Sequence, residues 1–203
     1  TDTHGSLAGI PIVVQAVNAV SKTKVARSLM ESTLGVDQNA WLPEFALKKF
    51  KQVAKPSANW PVKDGAKTPG KVAVYATCYI NYNEPGIGQD LLHILNHNEI
   101  PYQLVDKEAC CGMPKLELGD LKAVEKLKEI NIPQLAQLAQ EGYAIVTPIP
   151  SCTLMFKQEL PLMFPQDADV QLVKEAIWDP FEYLIARNKD GLLKTDFQEE
   201  LGQ

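Results

Sequence analysis

Lys71-Val72-Ala73-Val74-Tyr75-Ala76-Thr77-Cys78 is the stretch on which the reading of this chain turns. Its β-branched and aromatic residues predict a short strand, and the strand ends on a cysteine. Two later runs, 101–105 and 143–149, have the same character. Helical periodicity fills the intervals. Residues 85–98 carry an apolar stripe of Ile87, Leu91, Leu92, Ile94 and Leu95. Residues 118–142 read as helix in two pieces, because Asn131-Ile132-Pro133 interrupts them, with Gly142 as the C-terminal stop. Ser151 is expected to cap a helix over 152–160. Residues 170–177 and 180–187 read as terminal helices, the second capped by Asp179. Strands separated by helices predict an α/β fold: a short parallel sheet with flanking helices, and helical extensions at both ends.

On that map the four cysteines share a position. Cys78 closes the first strand, Cys110 and Cys111 lie in the loop after the second, and Cys152 follows the third and opens a helix. Open parallel sheets bind ligands at the carboxyl ends of their strands, so three strand-to-helix loops deliver four thiols to one edge. Thiolates close together repel, and a soft cation or cluster neutralises them. The helix entry at Cys152 offers N–H donors to negative sulfur, and Gly112 lets the chain bend after the paired cysteines. The plain alternative is four ordinary core cysteines, since free Cys is among the most buried residues. A disulfide framework fits poorly, because a chain of 203 residues needs no stapling and the adjacent Cys110 and Cys111 have diverging Cβ vectors. Clustered cysteines in a reducing interior point instead to metal or redox chemistry.

Working outward, 45% hydrophobic and 22% charged residues suffice for a buried core. Residues 7–34 read as mostly helical, with Val13, Val17, Val20, Val25 and Leu29 on one face and Gly35 as the stop. Residues 39–53 are a second helical candidate, with Leu42, Phe45, Ala46 and Phe50 opposite Lys48, Lys49 and Lys51, and Pro43 near the first turn. Residues 54–70, with Pro56, Pro61, Gly65, Pro69 and Gly70, read as a linker holding a domain boundary. The expected division is a helical leader and linker over 1–70, a cysteine-rich domain over 71–167 and a helical extension over 168–203. The run 7–20, broken by Pro11, Gln15 and Asn18, is too short to span a bilayer. The opening Thr1-Asp2-Thr3-His4 has neither Met nor the basic start of a signal peptide, and reads as the start of a piece or a processed product.

Charge is uneven. Residues 1–70 carry nine Lys/Arg against five Asp/Glu, and residues 71–203 carry eleven against twenty, within a net −5. The acidic body argues against nucleic acid as a partner. The basic leader reads as a solvated helix face, with contact to acidic lipid as the alternative.

Thirty-one residues separate Cys78 from Cys110, and forty separate Cys111 from Cys152. Together with Cys110-Cys111-Gly112, this pattern resembles the CCG cysteine-rich domain family, whose members include a heterodisulfide reductase component and the iron–sulfur subunit of glycolate oxidase. Cys78-Tyr-Ile-Asn-Tyr-Asn-Glu-Pro85 and Pro148-Ile-Pro-Ser-Cys152-Thr-Leu-Met-Phe-Lys157 resemble the anaerobic glycerol-3-phosphate dehydrogenase branch of that family. The resemblance implies that Cys78, Cys110, Cys111 and Cys152 hold an iron–sulfur cluster of the 4Fe-4S type, or alternatively a zinc ion. It further implies an electron-transfer part of a flavin-dependent dehydrogenase acting on glycerol 3-phosphate, glycolate or lactate, with electrons passing toward quinone or a similar acceptor. The implied partners are a flavoprotein dehydrogenase subunit and the rest of the chain's own subunit, namely a ferredoxin-like domain and a second CCG copy. The implied location is cytoplasmic, with peripheral association at the inner face of the membrane as an option. This sequence departs from the family at one point. The family pattern ends C-x-x-C, whereas Cys152-Thr153-Leu154-Met155 ends in methionine. Lacking the fifth cysteine, the chain suits a cubane cluster or zinc better than a five-cysteine non-cubane site. Met155 reads as helical core, with a weak thioether contact as the alternative.

Other candidates carry less. His93 and His97 share a helix face at i, i+4 and could pair on a metal, though surface or packing roles fit them better, and His4 carries no signal. Tyr79, Asn81, Tyr82 and Asn83 form a polar loop beside Cys78, where hydrogen bonds to cluster sulfur and ordinary turn chemistry fit equally. Lys115 and Lys157 lie near the thiols in sequence and could offset an anionic cluster. Two rival readings are a structural zinc module for subunit assembly and a cysteine enzyme using Cys78 or Cys152 as nucleophile. The second lacks both an adjacent His or Asp pattern and a C-x-x-C motif. Gly86-Ile-Gly88 has no further glycine to complete a phosphate loop.

Overall fold

The computed structural model describes residues 11–196. The chain folds as two compact units, one of Thr1–Ala54 with Cys78–Gln89 and one of Lys55–Thr77 with Asp90–Gln203.

The first unit is helical. It holds α1 (Pro11–Ser21), α2 (Lys24–Leu34), α3 (Phe50–Val53), α4 (Cys78–Tyr82) and the start of α5 (Pro85–His97). The expected helix over 7–34 is thus two helices, and its first residues, like His4, lie outside the described residues. Thr23 divides them, its hydroxyl accepting from Ala26 N–H to cap α2. Gly35 ends α2 as expected, in the left-handed conformation at φ 69°. The helix expected over 39–53 forms only at its end. Asn18 holds both backbone groups of Phe45, donating to its carbonyl at 2.8 Å and accepting from its N–H at 3.0 Å. Ala46 N–H goes to Tyr82 O. These bonds claim the groups a helix would need. Phe50 is buried, and a Cβ on Gly88 would lie 2.6 Å from its ring and 2.8 Å from Ile80. α5 can therefore approach α3 and α4 only through a glycine.

The second unit holds the sheet. β1 (Val72–Val74), β2 (Tyr102–Leu104), β3 (Ala144–Val146) and β4 (Ile177–Trp178) run parallel in the order β2-β1-β3-β4. Val72 pairs with both Tyr102 and Ala144, and Ile145 pairs with Ile177. All residues of β1 and β3 are buried, as parallel strands covered on both faces require. The three expected strands are present, and the fourth stands where the end of a helix was expected. That helix, α10 (Ala168–Ala176), is capped by the Asp167 carboxylate and stops as Ile177 turns to ψ 136°. Pairing with β3 outweighs helical propensity at this point. α11 (Pro180–Lys189) follows, capped by Asp179 as expected.

α6 (Met113–Glu117) leads to α7 (Leu121–Gln140), which continues through Pro133 instead of dividing there. Pro133 costs α7 about 3 kcal/mol in an otherwise regular helix. Burial of Val124, Ile132, Leu135 and Ala136 against α10 and β3 offsets it. Gly142, at φ 81°, closes the helix with Tyr143 N–H on Leu138 O and its own N–H on Ala139 O, a Schellman arrangement. After β3 come α8 (Pro150–Leu154), a π-helical segment at Met155–Glu159 and α9 (Leu160–Met163). Ser151 is not the cap: Ile149 occupies that place, and Ser151 lies inside the first turn. Among the described residues no helix is long and apolar enough to cross a membrane.

Candidate metal centre

The carboxyl end of the sheet positions the candidate site. Beyond the strands, Tyr75 N–H bonds Val146 O and Val105 N–H bonds Val74 O, so β1 stays laced to both neighbours for one more residue. The loops after β2 and β3 leave from either side of that central strand. They bring three thiols together. Cys111 hydrogen-bonds to Cys110 and to Cys152, and Met113 N–H donates to the Cys111 sulfur. Cys111 and Cys152 are buried and Cys110 is half-buried. The fourth candidate, Cys78, begins α4 in the first unit and is half-buried. Thr77 before it is buried with φ 56°, a costly backbone for a β-branched residue.

The electrostatics follow from crowding. The hydrogen bonds from Cys110 and Cys152 push the Cys111 thiol far up, burial adds to this, and the Met113 N–H opposes it. Neighbouring thiols cannot all ionise alone, and a soft cation that replaced their protons would remove the obstacle. The donor set therefore fits a thiolate-held metal or cluster.

Residues 72–157 match the cysteine-rich domain family CCG. This segment is a CCG domain. Over 146 residues the chain is 28% identical to the third component (C) of anaerobic glycerol-3-phosphate dehydrogenase from Escherichia coli, covering 71% of this chain and 36% of that protein. It is 29% identical over 102 residues to the second component (B) of the CoM/CoB fumarate reductase from Methanothermobacter marburgensis, covering 49% of this chain and 20% of that one. It is 26% identical over 97 residues to lactate utilization protein A 1 of Bacillus cereus, covering 48% and 38% respectively. The chain thus spans about a third of the length of the glycerol-3-phosphate dehydrogenase relative. No solved structure matches it.

Within the CCG domain, Gly112 sits at φ 102°, and a Cβ there would lie 3.3 Å from Met155 Cε. The glycine of the triplet is needed twice, for the backbone turn and for the methionine above it. Met155 is fully buried beside Cys111, Cys152 and Phe156 in the main core. Two residues of the site escaped the sequence reading. Tyr75, expected only as part of a strand, is fully buried and donates its hydroxyl to Ala109 O. Burial, then the charges of Cys111, Cys152, Cys110 and Glu108, holds its phenol well above the usual range, so it remains a neutral donor. Its ring meets Phe156 edge-on at 5.1 Å. Asn131, expected as part of a helix break, is fully buried. It accepts from Ala109 N–H at 2.9 Å and donates to Cys110 O at 3.0 Å. A polar residue on the apolar face of α7, beside Ile132 and Leu135, was the available signal, since such a group must be paired.

The remaining candidates have local roles. Tyr79, Asn81 and Tyr82 lie in α4, not in a loop. Asn81 accepts from Lys51 N–H, Asn83 donates to Glu44 O, and the Lys49 ammonium faces the Tyr82 ring at 5.1 Å. Packing within the first unit accounts for these side chains. Lys157 pairs with Glu182 and faces the Trp178 ring, and Lys115 lies 4.0 Å from Asp120. His93 and His97 are exposed, and His97 Nε2 lies 3.0 Å from Asp196. Among the described residues no three or more His, Cys, Asp or Glu side chains are spaced as the ligands of a single ion; the three thiols instead contact one another.

Proposed function

We propose that this chain is an iron–sulfur electron-transfer module in which Cys78, Cys110, Cys111 and Cys152 hold a 4Fe-4S cluster. The observation that carries the reading is the convergence of Cys110, Cys111 and Cys152 from loops on either side of β1, the strand whose chain continues into Cys78. When bound, such a cluster supplies one-electron transfer. The protein's part is to hold and tune it. Met113 N–H stabilises negative charge on the Cys111 sulfur, and buried Met155 and Phe156 wall the thiols with apolar surface.

Its setting is proposed from its relatives. They are named as parts of a glycerol-3-phosphate dehydrogenase and of a fumarate reductase, and as a lactate utilization protein. By analogy this module receives electrons from a flavoprotein subunit and passes them toward quinone or a similar acceptor, in the cytoplasm or peripherally at the inner face of the membrane. The substrate chemistry belongs to the flavoprotein. A CCG domain over 71–167, with leader 1–70 and extension 168–203, is the proposed division, supported by the family match over 72–157.

Anaerobic reconstitution of the full chain with ferrous iron and inorganic sulfide tests the reading. Iron and acid-labile sulfide in equal amounts, about four of each per chain, and a paramagnetic signal on reduction are expected for a 4Fe-4S cluster. One zinc per chain with no sulfide overturns it. Cys→Ser at each of the four positions lowers iron content; a position where it does not is no ligand.

A further inference from the structure

We propose that Tyr75 and Asn131 are positioning residues that preform the Cys110-Cys111 turn before anything binds to its thiols; the importance of that turn rests on the iron–sulfur reading above. The turn has no regular structure of its own, since residues 105–111 are neither helix nor strand. Two buried side chains from different elements grip it. Asn131 on α7 takes Ala109 N–H at 2.9 Å and Cys110 O at 3.0 Å, so both ends of its amide are spent on one short segment. Tyr75, just past β1, takes Ala109 O from the sheet side. Every backbone polar group of Ala109, and the carbonyl of Cys110, is thereby fixed by side chains. One turn further along α7, Gln134 repeats the device at the outer part of the loop, donating to Lys107 O at 3.1 Å and accepting from Lys107 N–H at 3.3 Å.

The geometry has a specific consequence. A loop that must be ordered when its thiols are captured loses affinity to that ordering, and a loop already ordered does not. Tyr75 and Asn131 are both fully buried, so water cannot replace the bonds they make. Neither stands among the proposed ligands. Both act through the backbone of Ala109 and Cys110, and both leave Cys152 to be held by the backbone of α8, where its N–H bonds Ile149 O.

Site-resolved alkylation of the metal-free full chain, read by mass spectrometry as the rate ratio of Cys110 to Cys152, tests this directly. Asn131→Ala is expected to raise the ratio, and to speed iron loss from the reconstituted chain to a chelator, by about tenfold or more, the usual size for a group that supports a ligand. Tyr75→Phe keeps the ring and removes one hydroxyl, so it shifts both readouts in the same direction by less. A general loss of packing would accelerate Cys110 and Cys152 alike. A parental ratio in both variants overturns the proposal. If Asn131→Ala does not fold, Tyr75→Phe alone decides: a raised ratio supports the clamp and a parental ratio overturns it. If the parent chain takes up no iron and sulfide, the iron–sulfur reading fails, while the alkylation ratio still decides the clamp.

Discussion

The two thiol-bearing turns of the CCG domain hold their cysteines by opposite means. Cys152 lies in the first turn of α8, and the helical run from Pro150 to Met163 carries it, anchored by buried Met155, Phe156 and Leu160. Cys110 and Cys111 lie in irregular chain and depend on side chains that reach in from β1 and α7. A helix satisfies its own backbone and needs only an apolar face to be fixed in place. A loop must borrow its hydrogen bonds, and each lender becomes part of the site. The contact of Met155 with Gly112 is where the two solutions meet.

Three substitutions can break or sharpen this contrast. Met155→Ala should have the largest effect, about 3 kcal/mol of stability, because it opens a cavity beneath both turns at a fully buried position; urea denaturation measures it, and a cost below about 1 kcal/mol would mean that the site collapses to fill the space. Gly112→Ala comes next, at about 1–3 kcal/mol, since alanine must adopt φ 102°. In the double variant the cost should fall short of the sum, because the methyl that the new Cβ meets is gone; strict additivity would show that backbone strain is the whole of the glycine effect.

Asp167→Asn should have the smallest effect. Asp167 lies 2.5 Å from Lys128, one turn before Asn131 on α7, and so steadies the helix that grips the loop. The hydrogen bond from Lys128 holds its carboxyl below the usual range. A depressed carboxyl contributes stability that is present above its unfolded value near 4 and lost as pH falls through the folded value. The variant keeps a capping side chain and loses the ion pair, a difference of at most about 1 kcal/mol at this partly exposed site. Melting curves of the two proteins should differ at pH 7 and converge below pH 4. A gap that persists in acid would show that the cap, not the charge, is at stake.

Much of this was legible in residues. Three runs of β-branched and aromatic side chains announced the parallel sheet, and the placement of Cys110, Cys111 and Cys152 after strands announced where the thiols would gather. The misreadings share one cause. Residues 39–49 have helical spacing, yet Asn18 takes the backbone of Phe45. Pro133 should divide α7, yet burial on α10 and β3 carries the helix through it. Ile177 has helical neighbours, yet the edge of β3 draws it into the sheet. In each case a partner distant in sequence supplied a bond or a surface that local propensity cannot register.

The sequence by itself determined the α/β class, the order of strands and helices along the chain, and the kind of atom available for chemistry. These follow from periodicity and residue type, which act over a few neighbours. Only the tertiary structure decided that Cys111 contacts both Cys110 and Cys152, that Met155 closes over Gly112, and that Asn131 and Tyr75 hold the loop between them. Those contacts join residues up to about 40 positions apart, and the chain can choose them only when folding brings buried polar groups together and leaves each in need of a partner.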